Sequence, residues 1–169
     1  MNIVLTGFMA SGKTEISKSI ASVSKYKRVD TDDMIEKAAG MTINEIFAKY
    51  GEERFREMER EAVKEAASME NTVIATGGGV VLDASNVEEL RKTGVIFNLA
   101  PDFEVIVDRI ETAAATRPLL KNQSMDDIKE RFIKRQPFYD NCDHKIHIMN
   151  GRSPKSYAME ILNIMSEKE

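Results

Sequence analysis

The chain has 169 residues, 42% of them hydrophobic and 31% charged, which fits one globular domain and excludes collagen-like, low-complexity and disordered classes. Its net charge of -4 gives no overall reason to expect nucleic acid. A lone cysteine, Cys142, rules out an intrachain disulfide, and no apolar run nears the ~20 residues of a membrane span.

From the start, Met1-Asn2-Ile3-Val4-Leu5 lacks the basic leader of a signal peptide, so a cytoplasmic location is expected. Asn2–Thr6 reads as a short buried strand. It runs into Gly7-Phe8-Met9-Ala10-Ser11-Gly12-Lys13-Thr14, a full match to G-x-x-x-x-G-K-[ST]. Glycines let such a loop curl so that successive N–H groups line one concavity, and the following helix adds its positive end. Lys13 can then reach terminal phosphates, and the Thr14 hydroxyl can ligate Mg²⁺. Ile16, Ile20 and Val23 give that helix an apolar stripe.

Lys27–Val29 reads as a second strand, followed by Asp30-Thr31-Asp32-Asp33. Residues two apart on an extended chain face one way, so Asp30 and Asp32 can serve one site; the same residues also suit a helix cap. Thr42 with Glu45 matches a capping box before the stripe Ile43, Ile46, Phe47, Tyr50. Glu52–Glu70 is dense in charge of both signs, as on the wet face of a helix, and contains Arg54, Arg56 and Glu59. A third strand, Thr72–Thr76, leads to Gly77-Gly78-Gly79, a run costly to order unless something approaches the backbone closely.

Ser85 with Glu88 matches a second capping box, and Val95–Leu99 a fourth strand. Phe103, Ile106, Val107 and Ile110 mark another helix. Glu111–Met125 has weak periodicity and carries Arg117-Pro118, which suggests a lid or binding loop. Arg135 stands near a helix end, before Gln136-Pro137-Phe138-Tyr139. Lys145–Ile148 reads as a fifth strand, and Ser153-Pro154 opens a last helix just after Arg152. Cys142, His144 and His147 have a metal-like spacing but no obvious fourth ligand, so structural roles are expected. The ten methionines are expected to fill the core. Strands alternating with helices predict an α/β fold: a three-layer αβα sandwich around a five-stranded parallel sheet, with ligands beyond the strands' carboxyl ends.

The ordered set Gly7–Thr14, Asp30-Thr31-Asp32, Phe55-Arg56 with Glu59, Thr76-Gly77-Gly78-Gly79, Arg117-Pro118-Leu119-Leu120 and Arg135 with Pro137 and Tyr139 resembles the shikimate kinase family nearly end to end. The resemblance implies a P-loop kinase fold in one domain over residues 1–169, with a mobile lid near 111–125. It implies transfer of the ATP γ-phosphate to the 3-hydroxyl of shikimate, in aromatic amino-acid synthesis. By its pattern Gly7, Ala10, Ser11, Gly12, Lys13 and Thr14 cradle ATP, and Thr14 and Asp30 hold Mg²⁺. Asp32 binds substrate hydroxyls and is the candidate base. Arg56 and Arg135 take the shikimate carboxylate, and Gly77, Gly78 and Gly79 shape its pocket. Arg117 comes onto the phosphates as a catalytic cation, while Arg109 and Arg152 flank the adenine. A monomer with no nucleic-acid or membrane partner is expected. Many relatives carry a glycine where this chain has Ala10, with little effect expected. A gluconate kinase would share the phosphate loop but needs no pair of carboxylate-binding arginines. A nucleoside-binding insertion and the guanine-reading Asn-Lys-x-Asp are both missing. A non-catalytic nucleotide-binding module would be told apart by acceptor-dependent ATP turnover.

Overall fold

In the computed structural model, which describes residues 1–114 and 124–169, β1 (Asn2–Thr6) is buried along its whole length. Successive strand side chains point to opposite faces. Ile3 and Leu5 join Ile16, Ile20, Tyr157 and Ile161 on one side; Val4 joins Val63, Val87, Leu90 and Ile106 on the other. A strand covered on both faces has no wet side, which is why this one reads as a nearly continuous apolar run.

Four strands run parallel with β1: β2 (Lys27–Asp30), β3 (Thr72–Ala75), β4 (Gly94–Pro101) and β5 (His144–Ile148), in the order β2-β3-β1-β4-β5. One face carries α1 (Lys13–Val23) and α7 (Pro154–Ser166). The other carries α3 (Ile43–Ala67), α4 (Ala84–Thr93), α5 (Phe103–Ala114) and α6 (Met125–Tyr139). α2 (Thr31–Ala39) packs on α3 through Ile35, Ile46, Phe55 and Ala62. The expected three-layer sandwich is present. The chain leaves β1 for one face and the neighbouring β3 for the other, so their connections diverge and open a crevice beyond the strand ends.

Helix starts explain much of the local order. Thr42 accepts from the Glu45 N–H at 3.2 Å, and its hydroxyl donates to the Glu45 carboxylate at 3.1 Å. Ser153 accepts from the Ser156 N–H at 3.2 Å, with Pro154 in the first turn. The expected cap at Ser85 is corrected. Asp83 caps α4, accepting from the Ser85 N–H at 2.9 Å and its hydroxyl at 2.6 Å. The helix begins one residue after the aspartate, and Ser85 is already inside its first turn.

Other expectations are adjusted too. Val23, Phe47 and Tyr50 are 40%, 37% and 51% exposed, so those stripes are narrower than their periodicity suggests. α3 is two helices joined at Gly51, whose φ of 82° and ψ of 173° interrupt the helical path. Glu111 to Ala114 continue α5, and Met125 already begins α6. The rest of the expected lid, residues 115–123 with Arg117, lies outside the described residues. Met165 is fully buried, whereas Met1, Met149 and Met159 are exposed, so the methionines are only partly core. No helix among the described residues is long and apolar enough to cross a membrane.

Candidate active site

The phosphate loop leaves the central strand and enters α1. Lys13 donates to the Gly7 carbonyl and, at 3.2 Å, to that of Phe8, so its ammonium lies across the loop's mouth. Burial holds the Lys13 ammonium down to about 8, against the opposing pull of Asp32 and Asp30. Thr14 follows in the first turn, its carbonyl accepting from Ser17 at 2.9 Å. Ser11 is buried, and its hydroxyl oxygen has no partner among the described residues.

The second strand ends at Asp30. Asp30 and Asp32 share a site for a different reason from the extended alternation expected. Asp30 is the cap of α2, accepting from the backbone N–H of Asp32 at 2.9 Å and of Asp33 at 3.3 Å. Asp32 is therefore in the first helical turn. The second Asp30 oxygen lies 3.7 Å from Arg28, whose Nε donates to Ser17 at 2.7 Å. Burial pushes the Asp32 carboxyl up to about 6, with the charges of Asp30 and Glu59 adding to it and Lys13 opposing.

The glycine run forms the floor between these parts. Gly77 donates its N–H to the Thr31 hydroxyl at 2.9 Å, and the preceding Thr76 donates to the Leu5 carbonyl. Each glycine lies against a different polar side chain. A Cβ on Gly77 would stand 2.5 Å from an Asp32 oxygen. On Gly78 it would meet Arg135 at 3.4 Å, and on Gly79 it would collide with the Arg56 guanidinium. The run's rationale is thus close approach of side chains to bare backbone.

Arg56 is the arginine of its segment that reaches the floor. It pairs with buried Glu59 at 2.9 Å, whereas Arg54 pairs with Glu57 in solvent. Burial raises the Glu59 carboxyl, and the Arg56 hydrogen bond opposes that. Glu59 had no signal of burial in a charge-dense helix beyond its spacing from Arg56. Arg135, one turn before the end of α6, lies over the Phe8 ring at 6.0 Å. Tyr139, one turn on, donates its hydroxyl to the Gly78 carbonyl at 2.6 Å.

On the other side of the phosphate loop, Arg109 donates to the Ala10 carbonyl at 2.8 Å. Arg109, Arg152, Ser11, Gly12, Ile110 and Tyr157 line a cavity of about 530 Å³, with the Arg152 guanidinium 4.1 Å from the Tyr157 ring centroid. Both arginines expected beside the adenine therefore border one cavity next to the loop. Ala10 itself has a left-handed φ of 60°, the conformation that a glycine adopts without strain. Farther off, His144 stacks on Phe97 at 5.2 Å and His147 lies 3.9 Å from Asp102 at the surface. Neither belongs to a group of three or more metal-ligating side chains among the described residues.

A family model described as "Shikimate kinase" matches residues 9–166. A shikimate kinase of Caldicellulosiruptor bescii is 45% identical over 169 residues, covering 99% of this chain and 97% of that one. The chain belongs to the shikimate kinase family. Another member, from Caldanaerobacter subterraneus subsp. tengcongensis, is 47% identical over 162 residues, 95% of this chain and 94% of its own. The solved shikimate kinase of Acinetobacter baumannii, in complex with shikimate, superposes with a TM-score of 0.87 at 31% identity, covering 99% of this chain and 94% of its own.

Proposed function

We propose that this shikimate kinase family member transfers the ATP γ-phosphate to the 3-hydroxyl of shikimate, giving shikimate 3-phosphate and ADP. The observation that carries the reading is the floor Gly77–Gly79, where Asp32, Arg135 and Arg56 each meet one glycine beside the lysine of a phosphate loop. One carboxylate and two arginine forks suit a small ring bearing hydroxyls and one carboxylate, because the guanidinium fork matches a carboxylate bidentately.

In this reading the phosphate loop and Lys13 hold the phosphates of ATP, with its base in the cavity between Arg109 and Arg152. Asp32 orients the acceptor hydroxyl and takes its proton. Arg56, held by Glu59, and Arg135 fix the shikimate carboxylate, which turns one hydroxyl toward ATP. Positioning of this kind is much of what phosphoryl transfer asks of a protein. Arg117, outside the described residues, is assigned to the phosphates by the family resemblance alone. The Thr14 hydroxyl and the Asp30 carboxylate fit Mg²⁺. They are hard oxygen donors, and the Asp30 charge that raises Asp32 would be offset by a divalent cation. Bound there with ATP, Mg²⁺ supplies neutralisation of charge on the phosphates. The family resemblance supports a cytoplasmic monomer of one domain as the working unit.

The test is ADP release with ATP and Mg²⁺, with and without shikimate, and with gluconate and nucleoside monophosphates as controls. Release that depends on shikimate is expected. Turnover on a control alone would keep the phosphate-loop reading and overturn the substrate reading.

A further inference from the structure

The phenol of Tyr139 lies at a junction that the phosphoryl-transfer chemistry leaves unused. Its ring is 2% exposed, packed in the core beneath the glycine floor. Its hydroxyl donates to the Gly78 carbonyl at 2.6 Å, and a Cβ on Gly78 would stand 3.7 Å from it and 3.4 Å from Arg135. Burial raises the phenol's pKa against the pull of the Arg135 charge beside it, so the group stays a neutral donor near neutrality. One oxygen therefore holds the loop and stands beside the arginine at the same glycine.

The peptide between Gly78 and Gly79 is planar and trans, so the carbonyl of the first and the N–H of the second point in opposite directions. Holding the Gly78 carbonyl toward Tyr139 aims the Gly79 N–H to the other side of the floor. Neither the Gly78 nor the Gly79 N–H has an intramolecular acceptor among the described residues. Without a tether, a glycine run could rotate that peptide freely.

We propose that Tyr139 is a positioning residue for the acceptor site: its hydroxyl fixes the Gly78–Gly79 peptide and braces the Arg135 fork, so that both meet the carboxylate end of the substrate in one geometry. This rests on the shikimate reading above. Tyr139 touches no reacting atom and acts through its two neighbours.

The experiment is Tyr139→Phe, which keeps the ring and removes the hydroxyl. Steady-state kinetics with shikimate and with its methyl ester would be compared with those of the wild type, alongside KM for ATP. The expected result is a KM for shikimate raised about tenfold, with kcat and the KM for ATP within about twofold. The preference for the acid over the ester should shrink, because the Arg135 fork is no longer held for a carboxylate. A purely structural role would lower kcat through a smaller folded fraction and leave both KM values and the acid preference unchanged; that result would overturn the proposal. So would an unchanged variant. These ratios remain readable even if the variant melts earlier, since KM does not depend on how much enzyme is folded. A wild type whose ADP release ignores shikimate would overturn the substrate reading, and the proposal with it.

Discussion

Two ionisable groups with opposite shifts stand together at the crevice. Asp32 must be ionised to accept a proton, and burial holds it at about 6; Lys13 must be charged to meet phosphate, and burial lowers it to about 8. The pH profile of kcat/KM reports groups of the free enzyme. It is therefore expected to be bell-shaped, falling below about pH 6 as Asp32 protonates and above about pH 8 as Lys13 loses its proton. A flat profile between pH 5 and 9 would remove both assignments. Gly79 gives a second prediction. Its φ of -95° is ordinary, so alanine there strains no backbone, but its methyl would displace the Arg56 guanidinium. Gly79→Ala is expected to raise the KM for shikimate by an order of magnitude or more if a charge-assisted bond is lost, while the melting temperature moves little. A large drop in melting temperature with unchanged KM would show that the glycine serves folding instead.

At the scale of elements, the join inside α3 decides how Arg56 reaches the floor. Gly51 carries a φ of 82° with ψ of 173°, a region almost closed to other residues, in open space. Gly51→Ala meets no neighbour, so its cost is conformational, on the order of 1–3 kcal/mol. The expected loss is a few degrees in melting temperature at minimum, measurable by calorimetry; no change would mean that the two half-helices can be realigned freely. This join also marks the limit of what the sequence discloses. Apolar spacing in Ile43–Tyr50 implies a buried stripe, yet only Ile46 is fully buried, because the helix turns at Gly51 and leaves Phe47 and Tyr50 at the surface. The loop Gly7–Thr14 was legible because its signal is local: a fixed spacing of glycines, lysine and hydroxyl. The pairing of Arg56 with Glu59 was half legible through a three-residue spacing. The burial of Glu59 was not, since it depends on what α3 packs against. Asp83 was hidden for a smaller reason: a capping box fitted Ser85 nearby, and the choice between caps depends on where the backbone first turns helical.

Across the whole molecule, the active site works against stability. The Asp32 carboxyl is held above its ordinary 3.8, so between about pH 4 and 6 the folded state binds more protons than the unfolded chain. Stability from this group therefore falls as pH rises through that window, and above about 6 the full penalty of an ionised, buried carboxylate is present. Asp32→Asn removes the charge. It is expected to abolish most turnover yet raise the melting temperature at pH 8 by a few degrees, about 2–4 °C per kcal/mol at this size. At pH 4 the variant should have little advantage. Equal melting temperatures at both pH values would show that the charge is better solvated than its surroundings imply. Five parallel strands could be anticipated as a class from alternating apolar runs, but the order β2-β3-β1-β4-β5 depends on long-range pairing that no local pattern encodes. That order places the floor after β3 beside the loop after β1, and each of its three glycines faces a different polar side chain. The arrangement bears on escape from inhibitors. A competitive inhibitor that rests on this floor leaves little room for resistance there, since a side chain added at Gly77 or Gly79 displaces Asp32 or Arg56, the groups that the proposed function gives to the substrate. Selection under such a compound should instead collect changes away from this floor.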